Sequence, residues 1–283
     1  MRAKRRGEMI LDTSTAISSQ SAKRWRAAPA IRVSVLVHAA AAVMLAAHPP
    51  AWAWTLGVLG ANHLALFFAV LWPRGQLLGP NLVRLPAAAV RRHEISLTFD
   101  DGPDRDVTPR VLELLDRYQA KASFFCIGEK AAAHPELVKE IARRGHSVEN
   151  HSYHHHNAFA FFSLSRLKRE IDAAQASVAA ITGRPPDFFR APAGFRSPLL
   201  DPVLAARGLR YVSWTRRGFD AVSCDSGRIL RELTRGLAAG DILLMHDSKP
   251  VVLAVLPVLL EQLSAQGLKP VSLVSACADE PVE

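Results

Sequence analysis

The chain has 283 residues, 49% of them hydrophobic, and a formal net charge of +9. This length and composition allow one domain of typical size plus an additional segment, or a single large α/β domain. We expect no nucleic-acid partner, because much of the positive charge precedes the first apolar run, at Arg2, Lys4, Arg5, Arg6, Lys23, Arg24 and Arg26.

The N-terminal part of the chain combines a basic tail with a strongly apolar segment. Residues 1–30 are basic and Ser/Thr-rich without hydrophobic periodicity, so we expect a disordered tail. Residues 31–72 contain one charged side chain and are interrupted midway by a His-Pro-Pro sequence. This pattern predicts two helices, about Val33–Ala47 and Thr55–Trp72, each near the lower length limit for crossing a bilayer. We interpret them as a membrane hairpin.

Other interpretations of this apolar segment stay open. A single span with an interfacial helix, or an uncleaved signal-like anchor, fits the same composition. A soluble helical pair packed on the main domain is also compatible, because His38, Asn62 and His63 lie inside the apolar run, where polar and ionisable residues are costly in a membrane.

Positively charged residues flank the apolar segment on both sides, with the tail before it and Arg74, Arg84, Arg91 and Arg92 after it. Under the positive-inside rule a hairpin places both flanks in the cytoplasm. We therefore expect the main domain on the cytoplasmic face of a bacterial-type inner membrane rather than in the periplasm. A single span reverses that orientation. Residues 73–93, with Pro, Gly and Asn at intervals, are expected to form a linker or an amphipathic approach to the main domain.

Residues 94–283 alternate short apolar runs with longer helical patterns. Strands are predicted at Ile95–Phe99, Ala122–Ile127, Ser147–Glu149, Phe188–Arg190, Tyr211–Trp214, Ile242–Met245 and Val271–Val274. Helices are predicted at Pro109–Tyr118, Pro135–Arg143, Leu164–Ala180, Pro198–Arg207, Arg228–Leu237 and Val251–Gln266. Seven βα units favour a parallel sheet, either open and doubly wound or closed into a small barrel. In both architectures functional sites gather at the carboxyl ends of the strands.

The three cysteines, Cys126, Cys224 and Cys277, lie far apart in the sequence. Metal and redox motifs use close pairs of cysteines, so we expect three buried thiols without a functional role. The cysteine content therefore does not indicate a cellular compartment.

Two polar clusters follow predicted strands. Asp100 and Asp101 end the first strand, where one carboxylate can hold a cation while the other acts as a base, although such a pair before Gly-Pro is also common in solvated turns. His151 and His155 follow the third strand four residues apart, which predicts that both lie on one face of a helical turn. With Asp101 they leave open positions on a divalent ion for water and substrate. Zn²⁺ fits this set best, and Co²⁺, Ni²⁺ or Mn²⁺ also fit.

Two further strand ends carry polar residues. Arg190 ends the fourth predicted strand, and His246 follows the sixth on the opposite side of the sheet. A lone histidine after an apolar strand is commonly structural. Four polar strand ends at one edge of a sheet favour a functional site.

Residues 94–276 resemble the polysaccharide deacetylase family, also called the NodB homology domain or carbohydrate esterase family 4. The resemblance rests on several ordered motifs and implies a distorted (β/α) barrel with seven parallel strands. Thr98–Gly102 match the first motif, which implies Asp100 as catalytic base and Asp101 as metal ligand. His151–His155 match the second motif, whose outer histidines complete the metal site.

Later motifs complete the implied site. Arg190–Gly194 are similar to the third motif, in which the arginine pairs with the base and the backbone after Pro192, at Ala193, helps to hold an oxyanion. Leu244 and His246 match the last motif, with the histidine as general acid and the leucine lining the pocket for the acetyl methyl group.

One motif departs from the family pattern. The family usually has an Asp-Trp pair between the third and last motifs, and the similar stretch here begins at Trp214 and contains Asp220 followed by Ala221. Asp220 is expected to orient His246, and Trp214 to line the substrate site. Ala221 in place of the usual tryptophan changes one wall of the pocket.

The resemblance implies metal-dependent hydrolysis of N-acetyl groups from an amino-sugar polymer or a lipid-linked amino sugar. Such an enzyme is a hydrolase of carbon–nitrogen bonds other than peptide bonds, with a carbohydrate or glycolipid substrate, and we expect it to associate with a membrane through its N-terminal segment. Two alternatives are an amidohydrolase for small non-sugar amides and a glycan-binding protein that has lost catalysis. The intact Asp100, Asp101, His151, His155 and His246 weigh against the second alternative.

Overall fold

A computed structural model describes residues 26–279 of the chain. Most of the predicted basic tail, at residues 1–25, and the terminal residues 280–283 lie outside the described residues. The described part comprises an apolar helical hairpin followed by a curved parallel sheet covered by helices.

Two apolar helices form the N-terminal hairpin. Helix α1 spans Pro29–Ala47 and helix α2 spans Trp52–Val70, joined by a 3₁₀ turn at Pro49–Ala51. The Asn62 side chain donates a hydrogen bond to the Ser34 hydroxyl at 2.9 Å, so two polar groups pair between the helices. Both helices are long and apolar enough to cross a membrane, and 6% and 17% of the residues in their apolar windows are buried. The predicted helical hairpin is confirmed.

The remaining elements alternate along the chain. The strands are β1 (Glu94–Asp100), β2 (Ala122–Cys126), β3 (Ser147–Asn150), β4 (Phe188–Phe189), β5 (Arg210–Tyr211), β6 (Arg216–Arg217), β7 (Ile242–His246) and β8 (Lys269–Pro270). The helices are α3 (Ala87–Arg91), α4 (Thr108–Arg117), α5 (Gly128–Ala133), α6 (Pro135–Arg143), α7 (Leu164–Thr182), α8 (Leu200–Ala205), α9 (Ser226–Thr234), α10 (Val252–Ala265) and α11 (Leu273–Ala276).

Seven parallel strands form the curved sheet, in the order β5-β4-β3-β2-β1-β7-β6. The short strand β8 pairs with the start of β1, outside this order. Across residues 26–279 no strand pairing joins β5 to β6, so the barrel is open at that point. The predicted distorted (β/α) barrel of seven parallel strands is confirmed as a curled half-barrel.

The core lies on both faces of the central strands. All residues of β1 and β7 are buried, as expected for parallel strands covered by helices on each side. Helix α4 buries Val111, Leu112 and Leu115, which recur at the helical spacing that the sequence predicts. At the carboxyl ends of these strands Asp100 and His246 are register partners.

The prediction of a seventh strand at Val271–Val274 is wrong. Residues Val271–Val274 leave the sheet after Lys269–Pro270 and enter helix α11. Ser272 explains the change, because its hydroxyl accepts a hydrogen bond from the Ser275 backbone N–H at 3.2 Å and caps the helix. Strand Arg216–Arg217 takes the remaining place in the curved sheet, and its two arginines carry no apolar strand signal.

Residues 73–93, expected as a linker or an approach to the main domain, pack on the sheet. Leu85 and Ala89 are buried in a cluster with side chains of the central strands. Arg84 forms an ion pair with the buried Asp241 at 2.7 Å. The apolar residues of this stretch belong to the core of the α/β fold.

Cysteine burial differs from prediction at one position. Cys126 and Cys277 are buried, as predicted, whereas Cys224 is exposed. Cys224 lies in the loop that precedes α9, where the chain runs over the surface.

Candidate active site

The carboxyl end of β1 delivers the carboxylate expected as the base. Asp100 is the last residue of β1, and its register partner on β7 is His246, the expected acid. Arg190 directly follows β4, and its guanidinium donates to Asp100 Oδ1 at 2.6 Å. The expected base and acid therefore lie on adjacent strands, with the arginine bound to the base.

Arg190 is fully buried and held on several sides. Its guanidinium also donates to the Thr98 hydroxyl at 2.9 Å and to the Ser213 backbone carbonyl at 2.8 Å. The guanidinium carbon lies 4.1 Å from the centroid of the Phe125 ring, within cation–π range. A buried charge needs such partners, and these contacts fix the direction in which Arg190 meets Asp100.

Asp101, His151 and His155 converge on one point. Asp101 has a positive φ of 71°, a turn that directs its carboxylate away from the strand. Its Oδ1 lies 3.4 Å from His151 Nε2 and 3.2 Å from His155 Nε2. One carboxylate oxygen and two imidazole nitrogens within 4.8 Å of one another fit a divalent cation such as Zn²⁺, with positions left for water and substrate.

A hydrogen bond at the far side of His151 sets its tautomer. His151 Nδ1 lies 2.9 Å from the Arg190 backbone carbonyl, which accepts only from a protonated nitrogen. Nε2 of the neutral ring is then free to bind a cation, as in other metal sites where a carbonyl orients the ligand. Asp100 Oδ2 lies 3.8 Å from the same Nε2, so the expected base borders the cation site.

Burial and neighbouring charges shift the pKa values of the three residues of the triad. Burial alone would raise the pKa of Asp101, but its hydrogen bond to His151 and the positive fields of the nearby histidines lower it well below its usual range. Burial and the neighbouring His151 lower the pKa of His155 to about 4. Burial also opposes the charge on His151, but Asp100 and Asp101 raise its pKa. At neutral pH the ionised Asp101 and the neutral His155 are both in the form that binds a metal ion.

The two histidines converge without a helical turn, so that part of the prediction is wrong. The loop leaves β3 with positive φ values at Ser152 (62°) and His155 (51°). The Gly128 backbone N–H donates to the Ser152 carbonyl at 2.9 Å, and His155 N–H donates to the Ser152 hydroxyl at 3.1 Å. These bonds to α5 and within the loop, rather than helical ones, bring His151 and His155 together.

A carboxylate–histidine pair lies at the end of β7. Asp220 Oδ1 is 3.0 Å from His246 Nδ1, and Asp220 Oδ2 accepts the His246 backbone N–H at 2.7 Å. Burial lowers the pKa of His246, but the hydrogen bond and the charge of Asp220 outweigh burial and raise it. His246 is therefore held in a position and charge state suited to a general acid.

The other predicted pocket residues lie beside this centre. Pro192–Gly194 form a 3₁₀ turn in which Ala193 is exposed and has a positive φ of 55°. Gly194 has a φ of 76°, and a side chain there would collide with the ring of Trp214. Trp214 is therefore packed under the turn, while Leu244 is buried on β7 opposite Thr98.

Asp247 is a buried residue of this region that sequence reasoning missed. Its Oδ2 accepts a hydrogen bond from the Thr108 hydroxyl at 2.5 Å, and burial raises its pKa to about 7. A side chain at Gly102 would collide with the Asp247 carboxylate, so the loop after Asp101 rests directly on it. Its position after the last-motif histidine is the one sequence signal that could have identified it.

A cation-binding triad flanked by a carboxylate–arginine pair and a carboxylate–histidine pair is typical of metal-assisted hydrolases on an α/β half-barrel. The model of the family described as polysaccharide deacetylase matches residues 87–212. A chitooligosaccharide deacetylase of Azorhizobium caulinodans is 34% identical over 167 residues, which cover 58% of this chain and 79% of that protein. The chain belongs to the polysaccharide deacetylase family.

Two more comparisons support this membership. The peptidoglycan-N-acetylglucosamine deacetylase PgdA of Listeria monocytogenes is 33% identical over 196 residues, or 69% of this chain. The chain spans 41% of the length of that relative. The solved structure of a family 4 carbohydrate esterase from Streptomyces lividans, in complex with acetate, aligns with a TM-score of 0.60 and 32% identity over 62% of this chain and 91% of that one.

Proposed function

We propose that the chain hydrolyses the N-acetyl group of an amino sugar in a glycan, with a divalent cation held by Asp101, His151 and His155. The observation that carries this proposal is the completeness of the site: a carboxylate paired with Arg190 borders the cation-binding triad, and an imidazole paired with a second carboxylate stands on the next strand. Relatives named as deacetylases of peptidoglycan N-acetylglucosamine and of chitooligosaccharides support the same bond and the same substrate class.

In the proposed reaction Asp100 and His246 each carry out one proton transfer. Asp100 takes a proton from water as the water oxygen forms a bond to the acyl carbon. His246 gives its proton to the sugar nitrogen as the carbon–nitrogen bond breaks, so that acetate and an amine leave. A bound divalent cation would acidify water and polarise the acyl oxygen. Arg190 positions Asp100, and Asp220 positions His246, through the hydrogen bonds described above.

The surrounding loops supply the remaining contacts in this proposal. The backbone N–H of Ala193, which follows Pro192, donates to the acyl oxygen in this proposal and stabilises its negative charge. Leu244 lines the pocket for the acetyl methyl group, and Trp214 forms the wall beneath the turn.

The proposal includes attachment to a membrane through α1 and α2. Their length, mean hydropathy of 1.9 and 1.5 and largely exposed side chains support two spans. Two spans return the chain to the side on which it began, and the basic flanks indicate that this side is the cytoplasm of a bacterial-type inner membrane. A reporter enzyme active only in the periplasm, fused after residue 283, would stay inactive if this orientation is correct.

Acetate release tests the function. The purified full chain in detergent is incubated with acetylated chitooligosaccharides, with and without chelator, and with Zn²⁺, Co²⁺, Ni²⁺ or Mn²⁺ restored. We expect release that the chelator abolishes and a metal restores, and no release by Asp100→Asn with its metal content unchanged. Release that is unaffected by both the chelator and Asp100→Asn would refute the proposed chemistry.

A further inference from the structure

The hairpin is docked on the loops that carry the catalytic site. We call residues 28–31 and 66–72 the hairpin foot, and residues 151–163 and 190–199 the active-site loops. Val70 of the foot is buried in a cluster with Ala160 of the first loop, and Phe195 of the second loop packs against the same cluster. Ala30 and Ile31 of α1 pack there as well. The foot therefore contacts both loops, one of which carries the two histidines of the triad.

The segment that leaves the hairpin is also fixed to the second loop. A Cβ atom placed on Gly194 would lie 3.1 Å from Pro73 Cβ, so the third-motif turn and the end of the apolar segment are in direct contact. The Asn81 amide donates to the Pro73 carbonyl at 2.9 Å. Arg196, buried in the same loop, donates to the Pro80 carbonyl at 2.8 Å. These bonds leave the hairpin little freedom to rotate relative to the site.

This docking determines where the site lies if α1 and α2 cross a bilayer. The foot then lies at the bilayer surface, and so do the active-site loops in contact with it. His155 precedes Ala160 by five residues, and an extended chain rises about 3.5 Å per residue, so the triad lies within about 18 Å of the foot. That distance is smaller than the thickness of the bilayer core, about 30 Å.

The surface around the foot suits a lipid headgroup region. Trp72, Leu77 and Phe161 are 65%, 56% and 68% exposed and extend the apolar surface of the hairpin onto the catalytic domain. Tryptophan is enriched at membrane–water interfaces, which suits the position of Trp72. Arg26, Arg32 and Arg74 are exposed at the same end, where guanidinium groups pair with phosphate.

We infer that the active-site mouth opens along the membrane surface, and that the substrate is an N-acetylated amino sugar joined through phosphate to a membrane lipid. This inference rests on the proposed function and names its substrate class. Trp72, Leu77 and Phe161 contact the lipid, and Arg26, Arg32 and Arg74 bind its phosphate. The sugar enters the site from the plane of the membrane. Restriction to that plane raises the effective concentration of substrate at the site.

The test compares two substrates on the full chain, reconstituted in vesicles of phosphatidylethanolamine and phosphatidylglycerol. One substrate is N-acetylglucosamine on a polyprenyl diphosphate, included in the vesicles, and the other is a water-soluble chitooligosaccharide. We expect kcat/KM to be at least about tenfold higher for the lipid-linked substrate. Phe161→Ser should reduce that preference several-fold. The control Val258→Ser removes an exposed apolar side chain on α10, which packs on α4 and α9, and should leave the preference unchanged.

The outcomes separate this inference from the proposed function. Equal kcat/KM for the two substrates, or an equal loss of preference in Phe161→Ser and Val258→Ser, would overturn the inference and leave the deacetylase proposal intact. Failure to release acetate from either substrate with metal bound would overturn the proposed function and the inference with it. A preference for the lipid-linked sugar that Phe161→Ser alone weakens supports both.

Discussion

Replacement of Arg190 by methionine tests the energetic link between the buried guanidinium and the proposed base. Methionine keeps an unbranched chain of similar length but removes the charge that pairs with Asp100 Oδ1 at 2.6 Å. Both side chains are nearly inaccessible, at 0% and 6% exposure, so water cannot replace the missing partner. The variant therefore leaves a buried carboxylate without its cation.

The size of the effect follows from that burial. Breaking a buried ion pair from one side costs about 3–5 kcal/mol, whereas replacing both partners can be nearly neutral. For a domain of this size the single change should lower Tm by roughly 10 °C. Asp100→Asn combined with Arg190→Met should recover much of that loss, which corresponds to a coupling energy of at least about 2 kcal/mol.

Wild type, the two single variants and the double variant form a double-mutant cycle. Their thermal unfolding is monitored by near-ultraviolet circular dichroism on the full chain in detergent, with a chelator present so that a bound metal does not contribute to stability. Arg196→Met is a matched control, because Arg196 is buried in the same loop but pairs with Asp201 at 2.9 Å. It should destabilise the fold and show no coupling to Asp100→Asn. If the stability losses of Arg190→Met and Asp100→Asn simply add, or if Arg196→Met couples to Asp100→Asn as strongly as Arg190→Met does, the proposed ion-pair coupling is refuted.

Three further predictions concern charge and boundaries. Asp220→Asn should lower the pKa of His246, which Asp220 raises, so the alkaline limb of the kcat/KM profile should move to lower pH; an unmoved limb would assign it to another group. Burial raises the pKa of Glu149 from 4.5 to about 7, so the folded state holds that proton more tightly and stability falls as pH rises through this window. Glu149→Gln should lack this fall and gain about 3 kcal/mol over wild type between pH 4 and pH 8 in urea unfolding, whereas parallel curves would contradict the assignment. A chain starting at residue 73 keeps the Arg84–Asp241 pair and should fold, while one starting at residue 93 should be less stable by several kcal/mol in the same assay; equal stability would show that the stretch is dispensable.

Most of the correct predictions come from locating polar residues at the ends of apolar strands. A buried parallel strand has a continuous apolar pattern, so the first polar residue after it marks the carboxyl edge of the sheet. Asp101, His151 and His246 are all found this way, and the sheet order places their strands near one another. The helical hairpin is predicted as readily, because an apolar run with a single charged side chain and two central prolines indicates it without tertiary information.

The errors arise where tertiary contacts override local pattern. The turn from His151 to His155 is shaped by bonds to α5, which lies earlier in the chain, so a spacing of four residues could not reveal it. The contact of Asp247 could not be predicted for the same reason, because its partner hydroxyl on Thr108 is 139 residues away. The stretch at residues 73–93 has the composition of a linker, but Leu82 bonds to Tyr211 of β5 and Arg84 pairs with Asp241, the residue before β7.

The loop after β4 joins two parts of the molecule that the sequence presents as separate. Arg190, near its start, binds the proposed base, and Arg196, six residues later, binds the carbonyls of Gly79 and Pro80 in the segment leaving the hairpin. A displacement of the hairpin would therefore pull on the loop that holds the base. Removing α1 and α2 should consequently alter turnover as well as solubility, since Pro73 would lose the anchored helix that holds it against the third-motif turn. In this chain the apolar hairpin packs directly against the loops that carry the proposed active site.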